Sequence, residues 1–376
     1  MKTISKILIF VSMSLALSGC DDFLTKEPET NLSPNTFFSS EAELELWTNR
    51  FYSLFAGPDT DAIQVSDIQI AKNLSSVQQG TRSPATENWG TSAWAYLRYI
   101  NYYLERSGNC PDETIRQRYD GVAYFFRALF YFEKVRKYGD IPYYDFVIPS
   151  NDWASLKRPR DSRGFVMKKV MEDLDRAITD LPDNWPSDAL YRLSKNAARA
   201  MKARAALYEG TFRKYHSREP SSDKPWQNDV YNADNKFLRE AAAAAKEIMD
   251  KGPFSLVTGD VKTAYRSLFT SAGLLTQEVI FGREYSKELS AFHETSWYYY
   301  SPTYGTKIAM TKKFMNTYLT TKGTPFTDID GYKTVDFIHE FDGRDARMAQ
   351  TVISPSYQMK ISGRTVPYSP NWKVTR

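Results

Sequence analysis

The sequence predicts a mainly α-helical protein, with paired helices in the first two thirds and a more irregular chain with a few short strands beyond them. Three observations lead to this fold class. Apolar residues recur at helical spacing over several long stretches, two stretches are rich in alanine, and the pattern is lost after Gly252-Pro253. A chain of 376 residues has ample material to bury a core of this kind.

The first predicted helix begins at Ser39-Ser40-Glu41, where a serine cap precedes acidic residues, and it stops before Gly57-Pro58. A second helix is predicted from Trp94 onward, and both Trp94 and Trp47 have the helical spacing of core residues. The third is predicted from about Asp112 to Lys137. It is apolar on most faces, as expected of a helix packed between other helices, and a glycine and a proline follow it.

Further helices are predicted over Ser162 to Asp180, Lys195 to Thr211 and Asn235 to Lys251. The last two carry many alanines, which allow helices to approach closely. Within the third helix, Ala128-x-x-x-Phe132 followed by Pro142 resembles part of a tetratricopeptide pattern. Tetratricopeptide-like helix pairs and an ordinary helical bundle are both consistent with these segments.

Two parts of the chain are irregular. Residues 59–90 are polar and lack periodicity, and so long a stretch in a compact domain is usually functional or mobile. Later, Phe254–Val257, Glu278–Gly282 and Thr351–Ile353 have the composition of short strands or extended pieces. An aromatic cluster occupies residues 292–304, and four consecutive aromatics cannot all face one core, so some are expected at a surface.

The N-terminus has the features of a lipoprotein signal peptide. Lys2 and Lys6 precede 11 largely apolar residues, which as a helix would span only ~16 Å, about half of a bilayer core. The small residues Ser18-Gly19 then lead to Cys20, and Leu17–Cys20 is similar to a bacterial lipobox. Cys20 is therefore predicted to be lipidated and to become the first residue of the mature chain.

Composition argues against several function classes. The net charge of +4 falls to +2 once the two leader lysines are removed, which is low for a protein that binds nucleic acid. Two cysteines and three histidines leave no disulfide framework and almost no means of building a structural zinc site. Nucleotide and metalloprotease motifs are absent, and Asp328-x-Asp330-Gly331 has the wrong spacing for an EF-hand. No cofactor or metal is predicted.

Several segments of the chain match the motifs of a single protein family. The most specific segment runs from Arg127-Ala128-Leu129-Phe130-Tyr131-Phe132 to Tyr138-Gly139-Asp140-Ile141-Pro142. The others are Cys20 to Pro28, Trp94-x-x-Leu97-x-x-Ile100-Asn101, Gln277 to Phe281 and Arg344-Asp345-Ala346-Arg347-Met348. Together these segments resemble the SusD/RagB-type outer-membrane lipoproteins of Bacteroidetes. The resemblance implies a SusD-like α-helical fold, with tetratricopeptide-like helix pairs supporting an irregular ligand-binding face.

The resemblance also implies where the protein works. It implies a non-enzymatic protein of the outer membrane, anchored through lipid (such as palmitate) on Cys20 and facing the cell exterior. There it would capture a glycan and deliver it to a SusC-like TonB-dependent transporter for polysaccharide utilisation. The predicted organisation is a signal peptide over 1–19, a SusD-like helical region over 20–215, and the start of a SusD/RagB C-terminal region over 216–376. Family members continue well beyond the Arg344 segment, so the chain is expected to be a C-terminally truncated fragment.

Aromatic platforms that cover the apolar faces of sugars are expected to form the ligand site, with polar groups that bind the hydroxyls. The candidates come from the two irregular regions: Trp89, Asn88, Arg82, Asp67, Trp297, Tyr298 and Tyr300. Plain packing is an equally good interpretation for Trp297. Two other functions remain open at this stage, a peptide-capturing RagB-like protein on the same scaffold and a surface glycoside hydrolase.

Overall fold

A computed structural model of the chain describes most of the sequence from Phe37 onward. The described residues are 37–55, 57, 66–83, 89–185, 191–216, 218–219, 224–226, 235–286, 288–293, 295, 308–361 and 364–367. Five predicted functional residues lie outside them, namely Cys20, Asn88, Trp297, Tyr298 and Tyr300.

The described part of the chain is mainly α-helical, as the sequence predicts. In chain order its helices are α1 (Glu41–Asn49), α2 (Ala95–Arg106), α3 (Glu113–Tyr138), α4 (Trp153–Leu156), α5 (Arg163–Asp180), α6 (Lys195–Tyr215), α7 (Lys236–Lys251), α8 (Ala264–Thr270), α9 (Lys312–Met315) and α10 (Ala346–Thr351). Short 3₁₀ turns occur at Arg50–Leu54, Thr91–Ala93, Ser107–Asn109, Phe326–Asp328, Tyr332–Thr334 and His339–Phe341.

Helix boundaries follow the predicted caps closely. The Asp112 carboxylate accepts a hydrogen bond from the Ile115 amide at 3.0 Å and so caps α3, while serines cap α5 and α6 in the same way. At the other end of α3, Gly139 has φ of +74°, a backbone conformation that only glycine adopts without strain. Two helices differ from the prediction at their C-terminal ends. Helix α1 ends at Asn49 and the 3₁₀ turn Arg50–Leu54 follows it, whereas α6 continues four residues past Thr211 to Tyr215.

The core is built around α3, which packs against α5, α2 and α1. Helix α5 in turn packs against α6, and α6 against α7, so consecutive helices form a stack. Alanines Ala205 and Ala206 of α6 are fully buried, and Gly210 lies so close to Leu238 of α7 that an added Cβ would stand 2.6 Å from a leucine methyl carbon. The small residues therefore permit the close helix pairing that the sequence predicts.

Strands are few and short. β1 (Gln69–Ile70) pairs antiparallel with β4 (Ala309–Met310), β2 (Arg218–Glu219) with β3 (Lys224–Pro225), and β5 (Gln358–Ile361) with β6 (Arg364–Pro367). None of the three segments with strand composition forms a strand. Residues 254–257 and 278–282 are extended or turn segments that bind each other, through the Ser255 amide and the Gln277 carbonyl at 2.8 Å. Thr351 is instead the last residue of α10, since the α10 backbone hydrogen bonds extend to Val352.

Within the described residues, no helix combines the length and apolar character needed to cross a bilayer. The same residues contain no group of three or more His, Cys, Asp or Glu side chains arranged to hold a metal ion.

Candidate functional site

A cleft of about 400 Å³ lies between α2 and the loop formed by residues 142–150. That volume is within the range of small-molecule sites in proteins. Its walls are mostly apolar and aromatic, with two polar side chains from α2. The lining residues are Trp89, Gly90, Trp94, Ala95, Leu97, Arg98, Asn101, Pro142, Tyr144, Phe146, Val147, Ile148, Pro149, Ser150 and Leu156.

Helix α2 holds the loop through side chains that lie on one helical face. Arg98 donates to the Ile148 carbonyl at 2.7 Å, and Asn101 donates to the carbonyls of Tyr144 and Phe146, both at 3.0 Å. One turn further on, Glu105 accepts from the Val147 amide at 2.6 Å. Because Arg98, Asn101 and Glu105 are spaced i, i+3 and i+7 on α2, their side chains share one helical face and reach neighbouring backbone groups of the loop. The loop, which forms the outer wall of the cleft, is thus held in place by hydrogen bonds from its backbone groups to α2 side chains.

A buried network of polar side chains stabilises the contact between α2 and this loop. The Asn101 side-chain oxygen accepts from Arg127 of α3 at 3.4 Å, and Arg127 forms two hydrogen bonds of 2.7 Å to Asp173 of α5. Tyr131 adds a second support, because its hydroxyl accepts from the Tyr144 amide at 2.6 Å and donates to the Tyr144 carbonyl at 3.0 Å. Side chains from three helices, α2, α3 and α5, therefore help to position this loop.

Trp89 lies at the edge of the cleft and is 36% exposed. Its ring makes edge-to-face contacts with Trp94, at 5.1 Å between centroids, and with Tyr138 at 4.7 Å. Trp94 packs in turn on Phe130 in the core, at 5.6 Å, and also lines the cleft. Trp94, predicted to be a core residue, is partly buried: it packs against the core and also lines the cleft, where its ring contacts the more exposed Trp89.

Arg82 and Asp67 are placed apart from the cleft lining. The Arg82 guanidinium donates to the Lys137 carbonyl at 2.9 Å, at the C-terminal end of α3, where a cation is favourable. Lys137 directly precedes Tyr138, whose ring contacts Trp89, so Arg82 and Trp89 both contact the C-terminal end of α3. Asp67 pairs with Lys313 at 2.5 Å, and this exposed ion pair holds the pKa of Asp67 below its usual value through hydrogen bonding to the lysine.

Asp67 stands where the two irregular regions meet. Next to it β1 pairs with β4, the Thr311 amide donates to the Ile68 carbonyl at 2.8 Å, and the Thr311 hydroxyl donates to the Asp67 carbonyl at 2.6 Å. The chain that follows the aromatic cluster is therefore paired with the chain that precedes Trp89. Asn88 and the cluster residues Trp297, Tyr298 and Tyr300 fall outside the described residues.

Sequence reasoning missed the loop and its anchors. Arg98 and Asn101 are polar residues three positions apart on a helix whose neighbouring positions Leu97 and Ile100 are core, and that pattern was the available signal. A second signal was the group of aromatic residues directly after Ile141-Pro142, namely Tyr143, Tyr144 and Phe146. Neither pattern indicates that the helix face and the loop contact each other across more than 40 residues.

Comparison with known proteins identifies the family. The profile of the SusD-like family described as starch-binding and associating with the outer membrane matches residues 22–207, which include the cleft and its supports. The chain belongs to the SusD-like family. Among curated relatives, SusD-like protein P2 of Formosa agariphila is 28% identical over 226 residues, which are 55% of this chain and 44% of that protein. SusD-like protein P25 of the same organism is 23% identical over 300 residues, 71% of this chain and 56% of the relative.

Solved structures of SusD-like proteins share the fold. A SusD-like protein from Bacteroides fragilis superposes with a TM-score of 0.66 at 22% identity, over 89% of this chain and 65% of the other. A SusD-like carbohydrate-binding protein from the same species gives a TM-score of 0.62 at 20% identity, over 84% of this chain and 60% of the other. The chain spans about half the length of the curated SusD-like relatives it matches.

Proposed function

We propose that this SusD-like protein is a non-enzymatic glycan-capture protein that uses the cleft beside Trp89 as its binding site. One observation carries the proposal: an indole that is one third exposed stands, rigidly packed, at the mouth of a preformed apolar cleft. The relationship to the SusD-like family and the carbohydrate-binding protein of the same fold support it.

The physical basis is the two-sided nature of a sugar ring. Its C–H face is apolar and is covered by an indole, while its hydroxyls need polar partners such as exposed carbonyls and side chains. A stacked ring that shields on the order of 50–100 Å² contributes ~1–2.5 kcal/mol. Millimolar affinity requires about 4 kcal/mol, so Trp89 must act together with further contacts. We assign these to the cleft walls and to Asn88, Trp297, Tyr298 and Tyr300, with Arg82 and Asp67 at the periphery.

The cellular part of the proposal follows from the leader and the family. Cys20 carries lipid and anchors the protein to the outer membrane, on the exterior face, where it passes glycan to a SusC-like TonB-dependent transporter. A Cys20→Ala variant should leave the membrane fraction, and the transporter should co-purify with the native protein from solubilised outer membranes. Wild-type and variant proteins in the same fraction would contradict the anchor.

Affinity electrophoresis tests the site. The purified chain is run in gels containing one polysaccharide each, and Trp89→Ala is compared with Tyr215→Ala, an aromatic that is 77% exposed at the end of α6. The loss of ~1–2.5 kcal/mol predicts about a five- to seventyfold fall in affinity for Trp89→Ala and none for Tyr215→Ala. Equal retention of both variants and the wild type would reject Trp89 as a binding residue.

The peptide-capturing alternative uses the same cleft, whose apolar walls also suit apolar side chains. Oligopeptides that co-purify with the chain, together with no retention in any polysaccharide gel, would favour that function. A hydrolase would instead shorten the polysaccharide, and reducing-end release by the purified chain would contradict the non-enzymatic assignment.

A further inference from the structure

Two cations stand over the indole at the cleft mouth. The Arg160 guanidinium carbon lies 5.5 Å from the centroid of the Trp89 ring, and the Lys134 ammonium lies 5.9 Å from it. Arg160 is exposed and Lys134 is half-buried. Any ligand that stacks near Trp89 therefore meets two positive charges.

Lys134 sits in a cage of aromatic rings. Its ammonium is 5.2 Å from the Trp94 centroid, 5.3 Å from Phe130 and 5.5 Å from Tyr138, in addition to Trp89. Ring faces attract a cation but supply no full negative charge. Burial and, secondarily, the neighbouring Lys137 lower the pKa of Lys134, so the ammonium charge is not fully compensated here.

Carboxylates near this end of the molecule already have other partners. Asp161, next to Arg160 in sequence, accepts from Arg158 at 2.9 Å and from the Tyr143 amide at 2.8 Å. Asp140, two residues past Tyr138, accepts from the Arg163 amide at 2.8 Å. Across the residues the structure describes, no carboxylate lies within ion-pair distance of Lys134 or Arg160.

Arg98 of α2 adds a third positive group to the cleft. It lines the cleft, is exposed, and binds the Ile148 carbonyl without an acidic partner among the described residues. Apolar walls of low dielectric strengthen the interaction of these charges with a ligand anion. These three cations have no carboxylate partner among the described residues, and an anionic glycan would supply one where a neutral glycan would not.

We propose that the ligand of this cleft is an acidic glycan, whose carboxylate or sulfate groups pair with Arg160 and Lys134 while a sugar ring packs against Trp89. The inference rests on the proposed glycan-capture function and specifies its substrate class. Carboxylate and sulfate offer the same recognition chemistry, with oxygens that accept charge-assisted hydrogen bonds from guanidinium and ammonium groups.

Pairs of polysaccharides that share a sugar backbone but differ in their charged groups test the contribution of charge to binding separately from that of sugar shape. Affinity gels contain polygalacturonate or highly methyl-esterified pectin, which share a backbone but differ in free carboxylates, and a sulfated galactan or its desulfated form. We expect at least tenfold stronger retention in one acidic gel than in its neutral counterpart, and weaker retention at high salt. Arg160→Gln and Lys134→Met should each weaken binding to that acidic polymer about tenfold, the loss of one charge-assisted contact.

Lys322→Gln is the matched control, since it removes one exposed charge from a turn remote in sequence from the cleft residues. Far-UV circular dichroism checks that each variant is folded, and Arg160→Gln, at an exposed position, keeps the test valid if Lys134→Met is unstable. Stronger or equal retention by the neutral polymers would overturn the acidic assignment while glycan capture stands. No retention of any polysaccharide by the folded chain would refute glycan capture itself, and retention of polyglutamate alone would overturn both in favour of an acidic peptide.

Discussion

Replacing Asp173 by alanine should leave a guanidinium uncompensated inside the helical core. The side chains of Arg127 and Asp173 are only 5% and 4% exposed, and two hydrogen bonds of 2.7 Å join them. Without Asp173, the hydrogen-bond partner of the Arg127 guanidinium that remains among the described residues is Asn101, at 3.4 Å. This ion pair connects α3 to α5 and, through Asn101, to the loop that forms the outer wall of the cleft.

The magnitude follows from the burial of the pair. Removing one partner of a buried ion pair costs about 3–5 kcal/mol, because the other charge stays desolvated. Domains are stable by roughly 5–15 kcal/mol, so the variant should lose about a fifth or more of its stability. Replacing both residues, as in Arg127→Met with Asp173→Leu, should cost much less, since an apolar pair of similar size carries no desolvated charge.

Urea unfolding followed by tryptophan fluorescence provides the measurement, with the wild type, Asp173→Ala and the double variant compared at one pH. The expected order of unfolding free energy places Asp173→Ala lowest, with the double variant within about 1–2 kcal/mol of the wild type. If Asp173→Ala costs less than 1 kcal/mol, or if the double variant is as unstable as the single one, the argument from an uncompensated charge is wrong.

Two further predictions concern a buried carboxyl and a helix end. Burial raises the pKa of Asp120 to about 6 from 3.8, against the opposing effects of Ser107 and Tyr103. The folded state therefore binds the proton more tightly, and this group lowers stability progressively as pH rises from about 4 to 6, by up to about 3 kcal/mol. Asp120→Asn should gain stability over the wild type across that window and little below it, and a gain independent of pH would contradict the assignment. Gly139→Ala forces a side chain into φ of +74° and should cost about 1–3 kcal/mol in urea unfolding, whereas Gly108→Ala, at negative φ with open space around it, should cost much less. Equal costs at the two glycines would show that backbone strain is not the cause.

Helix positions were predictable because their signals are local. Asp112, Ser162 and Ser194 cap α3, α5 and α6 through hydrogen bonds to amides three residues ahead, and Gly139 ends α3 through its own backbone freedom. Family membership was equally accessible, since the residues from Arg127 to Pro142 combine a buried charge, an apolar helix and its termination in one continuous segment.

Residues 254–257 and 278–282, for which the sequence predicts short strands or extended pieces, form extended and turn segments and no strand. Strand composition describes a residue's preference for extended backbone, whereas strand pairing depends on what lies beside it. These two extended segments bind each other through isolated hydrogen bonds and no regular ladder. By contrast, β1 pairs with β4 across about 240 residues, although neither has a distinctive sequence.

The sequence by itself determined the helical class and most helix ends, and it predicts the lipid anchor at Cys20 and the candidate binding residue Trp89. The tertiary structure alone decided that Arg98, Asn101 and Glu105 face the loop at 142–150, and that Arg160 and Lys134 converge on one indole. The reason is the range of the interactions. Caps and periodicity act within a few residues, whereas the cleft and its charge arise from contacts between segments 40 to 70 residues apart, which local pattern does not encode.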